Sequence, residues 1–155
     1  MKVAVEYLRS IFISVEFAVL ILCFYVAWAH PPVVAKMNSL IAKGADPIKW
    51  LSAVPAAVLV WSMGTVRKLR FPEKDRKSLL QNWPEYWKLC VVVNVALGFA
   101  LLFTAAGLFP WLLSTTIGDD YRSLFLFGSL SGALIVGASC YLAEMAINDE
   151  FARKG

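Results

Sequence analysis

Four long apolar runs alternate with polar segments that hold most of the charge along this chain; the runs cover residues 8–29, 47–66, 89–108 and 123–147. Each has about the ~20 apolar residues that a helix needs to cross a hydrocarbon core roughly 30 Å thick. In lipid a single segment can satisfy its own backbone hydrogen bonds only as a helix. The pattern therefore predicts an all-α, polytopic membrane protein with four transmembrane helices in one domain. Asp46-Pro47 supplies an N-cap and a proline at the first helical position of the second run. Pro55 lies inside that run and predicts a bend there. Pro110 and Trp111 follow the third run, and Gly118-Asp119-Asp120 marks the turn into the fourth. Residues 27–29 read Ala-Trp-Ala, a small-x-small pattern found at signal-peptidase sites. The run before them is longer than the roughly 7–15 apolar residues of a signal peptide, so we read it as a retained span.

Two connecting segments have patterns of their own. In residues 30–46 the apolar Val33, Val34, Met37, Leu40 and Ile41 fall on one face of a short helix, with Gly44 as its stop. This predicts an amphipathic helix on the outer membrane surface or capping the bundle, or alternatively a docking surface. Residues 67–88 mix bases with Leu79, Leu80, Trp83 and Trp87, and residues 73–82 suit a helix along the inner leaflet. The segment far exceeds the roughly 2–8 residues of plain helix connections. One reading is a positive-inside anchor. The other is a docking site for a cytoplasmic protein partner through Arg67, Lys68, Arg70, Arg76, Lys77 and Trp83.

Composition agrees with a lipid environment: 59% of residues are hydrophobic and 17% charged, against about 45–50% and 25% in soluble domains. The net charge of +4 does not point to nucleic acid. Residues 67–88 hold seven of the fifteen bases and three acids, a surplus equal to that of the whole chain. A concentration of this kind suits the inner leaflet and its anionic lipids. The N-terminus, this loop and the C-terminal tail carry eleven Lys and Arg, and the two opposite loops carry four. The imbalance predicts cytoplasmic N- and C-termini in an inner (plasma) membrane, with residues 30–46 periplasmic in a bacterium. Aromatic belts are expected at both ends, Tyr7, Tyr86 and Trp87 on one side and Trp28, Trp50, Trp111 and Tyr121 on the other. Cys23, Cys90 and Cys140 fall in or at the edge of apolar runs, so no disulfide framework is expected.

Polar groups inside the runs are the candidate chemistry. Glu16 lies about eight residues into the first span, where an unpaired carboxylate costs at least a few kcal/mol. Its partner must come from another helix, and by depth Arg67 and Lys68 are the nearest cations. Asn94 and Glu144 fall in the same inner half. Together they suit an ion- or proton-handling site, or an interhelical hydrogen-bond cluster that fixes bundle register. Ala96 and Ala100, and the pair Gly128-x-x-x-Gly132, form small-residue faces for close helix packing, either within the bundle or between copies. His30 is the sole histidine, and no metal site, cofactor site or catalytic set is expected. The chain does not read as an enzyme.

A membrane-embedded glutamate in the first of four helices resembles the small multidrug-resistance exporters, and implies proton-coupled exchange at Glu16. The stretch Gly64-Thr65-Val66-Arg67-Lys68-Leu69, followed by Tyr86 opening a Val-rich run, resembles small four-helix inner-membrane proteins of phage exclusion and anti-phage defence, such as the lambda exclusion and Kiwa membrane components. That resemblance implies an oligomeric unit that senses infection or membrane disturbance. Three functional readings stand together. The first is a non-enzymatic, self-associating membrane sensor, anchor or conducting element with a cytoplasmic partner. The second is a small proton- or ion-coupled transporter or channel using Glu16. The third is a structural subunit of a larger complex. The topology predicts that a reporter fused at Gly44 reports from the periplasm; cytoplasmic reporter activity would refute it.

Overall fold

The computed structural model describes residues 2–42, 50–71, 83–84, 86–112 and 121–154, and these form helices, with no strand among them. In chain order they are α1 (Lys2–Ile13), α2 (Val15–Ala29), α3 (Pro31–Ala42), α4 (Val54–Arg70), α5 (Tyr86–Leu112) and α6 (Arg122–Lys154). Two helices are long and apolar enough to cross a membrane, Tyr86–Phe109 within α5 and Arg122–Asp149 within α6. α1 and α2 make a third if the bent pair is one span.

The first apolar run is thus broken where its hydropathy is continuous. Glu6–Ile13 and Val15–Ala29 meet at 49°, and the cause is local. Ser14 has an extended backbone and acts as the N-cap of α2. Its hydroxyl accepts the Phe17 N–H at 3.1 Å and donates to the Ile11 carbonyl at 3.0 Å, so it closes one helix and opens the next.

The second run also differs from expectation. Pro55 sits in the first turn of α4, where its missing N–H leaves no gap in the helix, and no mid-helix bend results. Residues 50–51 are helical and 52–53 form a turn. α4 itself has 17 residues, about 25 Å at ~1.5 Å per residue. It continues through Arg67 and Lys68 to Arg70, residues expected in the loop. The expected N-cap at Asp46-Pro47, the stop at Gly44, the inner-leaflet helix over 73–82 and the turn at 118–120 lie outside the described residues.

Contacts at both ends of the bundle fix how the helices alternate. The Tyr86 hydroxyl donates to the Leu69 carbonyl, tying the start of α5 to the end of α4. Lys68 Nζ is 3.8 Å from Glu144 Oε1 at the same end. At the other end the Ser123 N–H, an orphan donor in the first turn of α6, is accepted by Asn38 Oδ1 of α3 at 3.0 Å. The amphipathic segment after the first run is therefore helical, and its Asn38 caps α6. Its Val34 is buried and Met37 half-buried, whereas Val33 faces outward. The exposed Trp28, Trp50 and Tyr121 collect at this end.

The interior consists of two clusters. One joins Val66 and Leu69 of α4 to Val93 of α5 and to Ala143 and Ile147 of α6, with Trp83 and Tyr86 packed against it. The other centres on Ala96, Phe99, Ala100 and Phe103 of α5 with Val136 and Cys140 of α6. Outward faces are apolar as well: Phe24, Val60, Leu101, Leu134 and Leu142 are all exposed, which suits lipid as the surrounding solvent. The three cysteines are free.

Gly128 and Gly132 both serve this interior. A Cβ built at Gly132 would collide with the Phe103 ring, and one at Gly128 falls 2.9 Å from Cys23 Sγ. The pair lets α5 and α2 approach α6 closely. At Gly64, in contrast, an added Cβ meets nothing within 4 Å. Gly132→Ala is therefore expected to destabilise the protein by about 1–3 kcal/mol through overpacking. Gly64→Ala is expected to be neutral or stabilising, and thermal unfolding of the two variants in one detergent checks the contrast.

Candidate functional site

The break at Ser14 decides the setting of Glu16. In an unbroken helix Glu16 would sit mid-span; here it lies in the first turn of α2, where the helix dipole and unpaired N–H groups favour a negative charge. The residue is only 5% exposed. The Ser139 hydroxyl of α6 donates to its Oε1 at 2.7 Å, a length typical of a hydroxyl meeting a carboxylate.

Glu16 opens onto a cavity of about 490 Å³ between α1, α2, α5 and α6. Glu6, Arg9 and Ser10 of α1, Lys88 of α5 and Ser139 line it together with Glu16. α1 divides its surface three ways. Tyr7 and Ile11 pack on the bundle, Leu8 and Phe12 are exposed, and Glu6, Arg9, Ser10 and Ile13 turn to the cavity. Its most polar face therefore borders the cavity, with Glu6 and Ser10 half-buried and Arg9 exposed. Among the described residues neither Glu6 nor Arg9 makes an ion pair.

The other sequence-selected polar residues take separate places. Asn94 Nδ2 donates to Tyr7 Oη at 3.1 Å, joining α5 to α1 one layer from the cavity. Glu144 is 38% exposed and faces Lys68, itself 77% exposed, rather than Glu16. Such an exposed pair contributes little stability. The cation expected beside Glu16 is thus neither Arg67 nor Lys68; Arg9 and Lys88 line its cavity instead.

Of the residues expected to bind a partner, Arg67 and Lys68 are exposed near the end of α4, and Trp83 is half-buried against the Val66 cluster. Arg70 closes α4, and Arg76 and Lys77 lie outside the described residues. Ala96 and Ala100 are buried in the second cluster. No group of three metal-ligating side chains occurs among the described residues.

Sequence reasoning missed Glu6, Ser10, Lys88 and Ser139 as parts of one site, because they come from three helices. A signal for the break did exist. Ser14 followed by Glu16 has the composition of a helix N-terminus. No family model, curated protein or solved structure matches the chain.

The Tyr7–Asn94 bond is expected to be worth about 0.6 kcal/mol, and no more than ~1.7, by analogy with other interhelical bonds in membranes. A double-mutant cycle of Tyr7→Phe and Asn94→Leu, read by reversible unfolding in micelles, measures that coupling. Zero coupling would remove the bond from the account of the bundle.

Proposed function

We propose that the chain is a small inner-membrane transporter or channel in which Glu16 is the proton- or ion-handling group. One observation carries this reading. A carboxylate that is 5% exposed sits at a helix break, facing a cavity that also presents Glu6, Arg9 and Lys88. Membrane proteins tolerate interrupted helices and ionisable side chains where they line a cavity, and substrate and ion pathways are built there. The proposed topology has four crossings: the bent α1–α2 pair, residues 50–70, α5 and α6. The excess of Lys and Arg supports cytoplasmic termini, and the alternating end contacts of α4, α5 and α6 support this path.

A second reading keeps the chain as a non-enzymatic sensor or anchor that self-associates and engages a cytoplasmic partner, in the manner of the phage-exclusion and anti-phage membrane proteins. The exposure of Arg67 and Lys68 at the end of α4 favours it. Gly128 and Gly132 are covered by Cys23 and Phe103, respectively, so self-association would use another face.

Purified protein in liposomes distinguishes the two. Under the first reading an imposed proton or cation gradient drives a flux that Glu16→Gln abolishes. No flux from the parent protein would discard that reading and leave the sensor.

A further inference from the structure

We propose that the cavity beside Glu16 binds a zwitterion that carries a primary ammonium and a phosphate-type anion, the headgroup chemistry of an aminophospholipid. This deepens the reading of Glu16 as an ion-handling group. It rests on that reading only in taking the cavity to lie in or at the membrane.

Size is the first argument. About 490 Å³ lies within the roughly 300–1,000 Å³ of small-molecule sites. It far exceeds the ~30 Å³ that one water occupies in the liquid. A proton path needs only a file of waters, and the cavity has room for something larger.

Charge is the second. The lining presents charges of both signs, Glu6 and Glu16 with Arg9, and Lys88, which has a partner of its own. Among the described residues Glu6 and Arg9 form no ion pair, and Glu16 is met by the Ser139 hydroxyl. A ligand with charges of both signs answers acids and a guanidinium in one chamber. A simple cation or a simple anion would leave one sign uncompensated, at a cost that rises as water is excluded.

The third argument concerns the kind of ammonium. Quaternary ammonium groups are held over aromatic faces, and no lining residue is aromatic. The site offers hydrogen-bond acceptors instead: the Glu16 and Glu6 carboxylates and the Ser139 and Ser10 hydroxyls. These suit the three donors of a primary ammonium. Arg9, exposed and one helical turn from the break, is placed for bidentate contact with an oxoanion.

The margin favours a lipid source. Ile13, Val15 and Val92 line the cavity and are 71%, 62% and 44% exposed. Acyl chains leaving the cavity would run along this apolar edge.

The test uses the full-length protein in nanodiscs of phosphatidylcholine doped equally with phosphatidylethanolamine and phosphatidylglycerol. Lipid retained after mild detergent extraction is identified by native mass spectrometry. Phosphatidylethanolamine should be retained over both others, with Glu16→Gln and Arg9→Gln each weakening retention about tenfold, or roughly 1.4 kcal/mol. Lys68→Gln, remote from the cavity, should leave it unchanged. Soluble phosphoethanolamine added in a parallel arm identifies a free zwitterion as the source if it binds the parent protein and neither cavity variant. Arg9 is exposed, so Arg9→Gln carries the test if Glu16→Gln fails to fold. Equal retention of the three lipids with no binding of phosphoethanolamine would overturn the proposal. So would a preference for phosphatidylglycerol, or enrichment that both cavity variants preserve. Binding is read without a gradient, so absent flux with intact binding rejects transport and keeps the site, whereas flux without binding does the reverse.

Discussion

A carboxylate buried among apolar helices must be met by donors or by water, and the arrangement around Glu16 answers that constraint. Ser14 ends α1 and caps α2, which brings Glu16 to a helix N-terminus. From there the carboxylate reaches Ser139 across the bundle at 2.7 Å. The 49° turn between α1 and α2 leaves α1 leaning on α5 through Tyr7 and Asn94. The wedge between them is the cavity. One capping serine thus accounts for the bend, the placement of the acid and the space in front of it.

The rest of the bundle is rigid where it supports that wedge. Phe103 lies over Gly132, Cys23 over Gly128, and Ser129 over Gly107, so α6 is approached closely from two sides. Thr104 Oγ1 is 3.0 Å from the Pro55 carbonyl and 2.8 Å from the Ala100 carbonyl in its own helix, which ties α5 to the start of α4. These contacts use the small residues internally. They separate a packed half, α4 with α5 and α6, from the hollow half around α1 and α2, to which Glu6, Arg9 and Glu16 of the cavity lining belong.

Position along the bundle also divides the two functional readings. Arg67, Lys68 and Glu144 lie at the end where α4 terminates, exposed and screened, as suits contact with a partner or a lipid surface. Glu16, Glu6 and Arg9 line a cavity open at one margin, as suits a ligand or ion.

The amino-acid sequence by itself determined the helical class, the apolar runs that became α5 and α6 and the short helix after the first run, and it singled out Glu16 as a charge among apolar neighbours. Each follows from local hydropathy, from 3.6-residue periodicity, or from the cost of a charge among apolar neighbours. The break at Ser14 escaped a hydropathy reading because apolar residues, Ile11, Phe12, Ile13 and Val15, flank it on both sides; hydrogen-bond geometry marks it. Pro55 read as a bend because sequence does not say whether a proline falls inside a helix or at its first turn. Only the tertiary structure could decide that Ser139 and not Lys68 meets Glu16, that Gly128 and Gly132 face Cys23 and Phe103, and that Glu6, Arg9 and Lys88 share one chamber. Those pairings join residues as many as 123 positions apart, and no local pattern encodes which helix faces which.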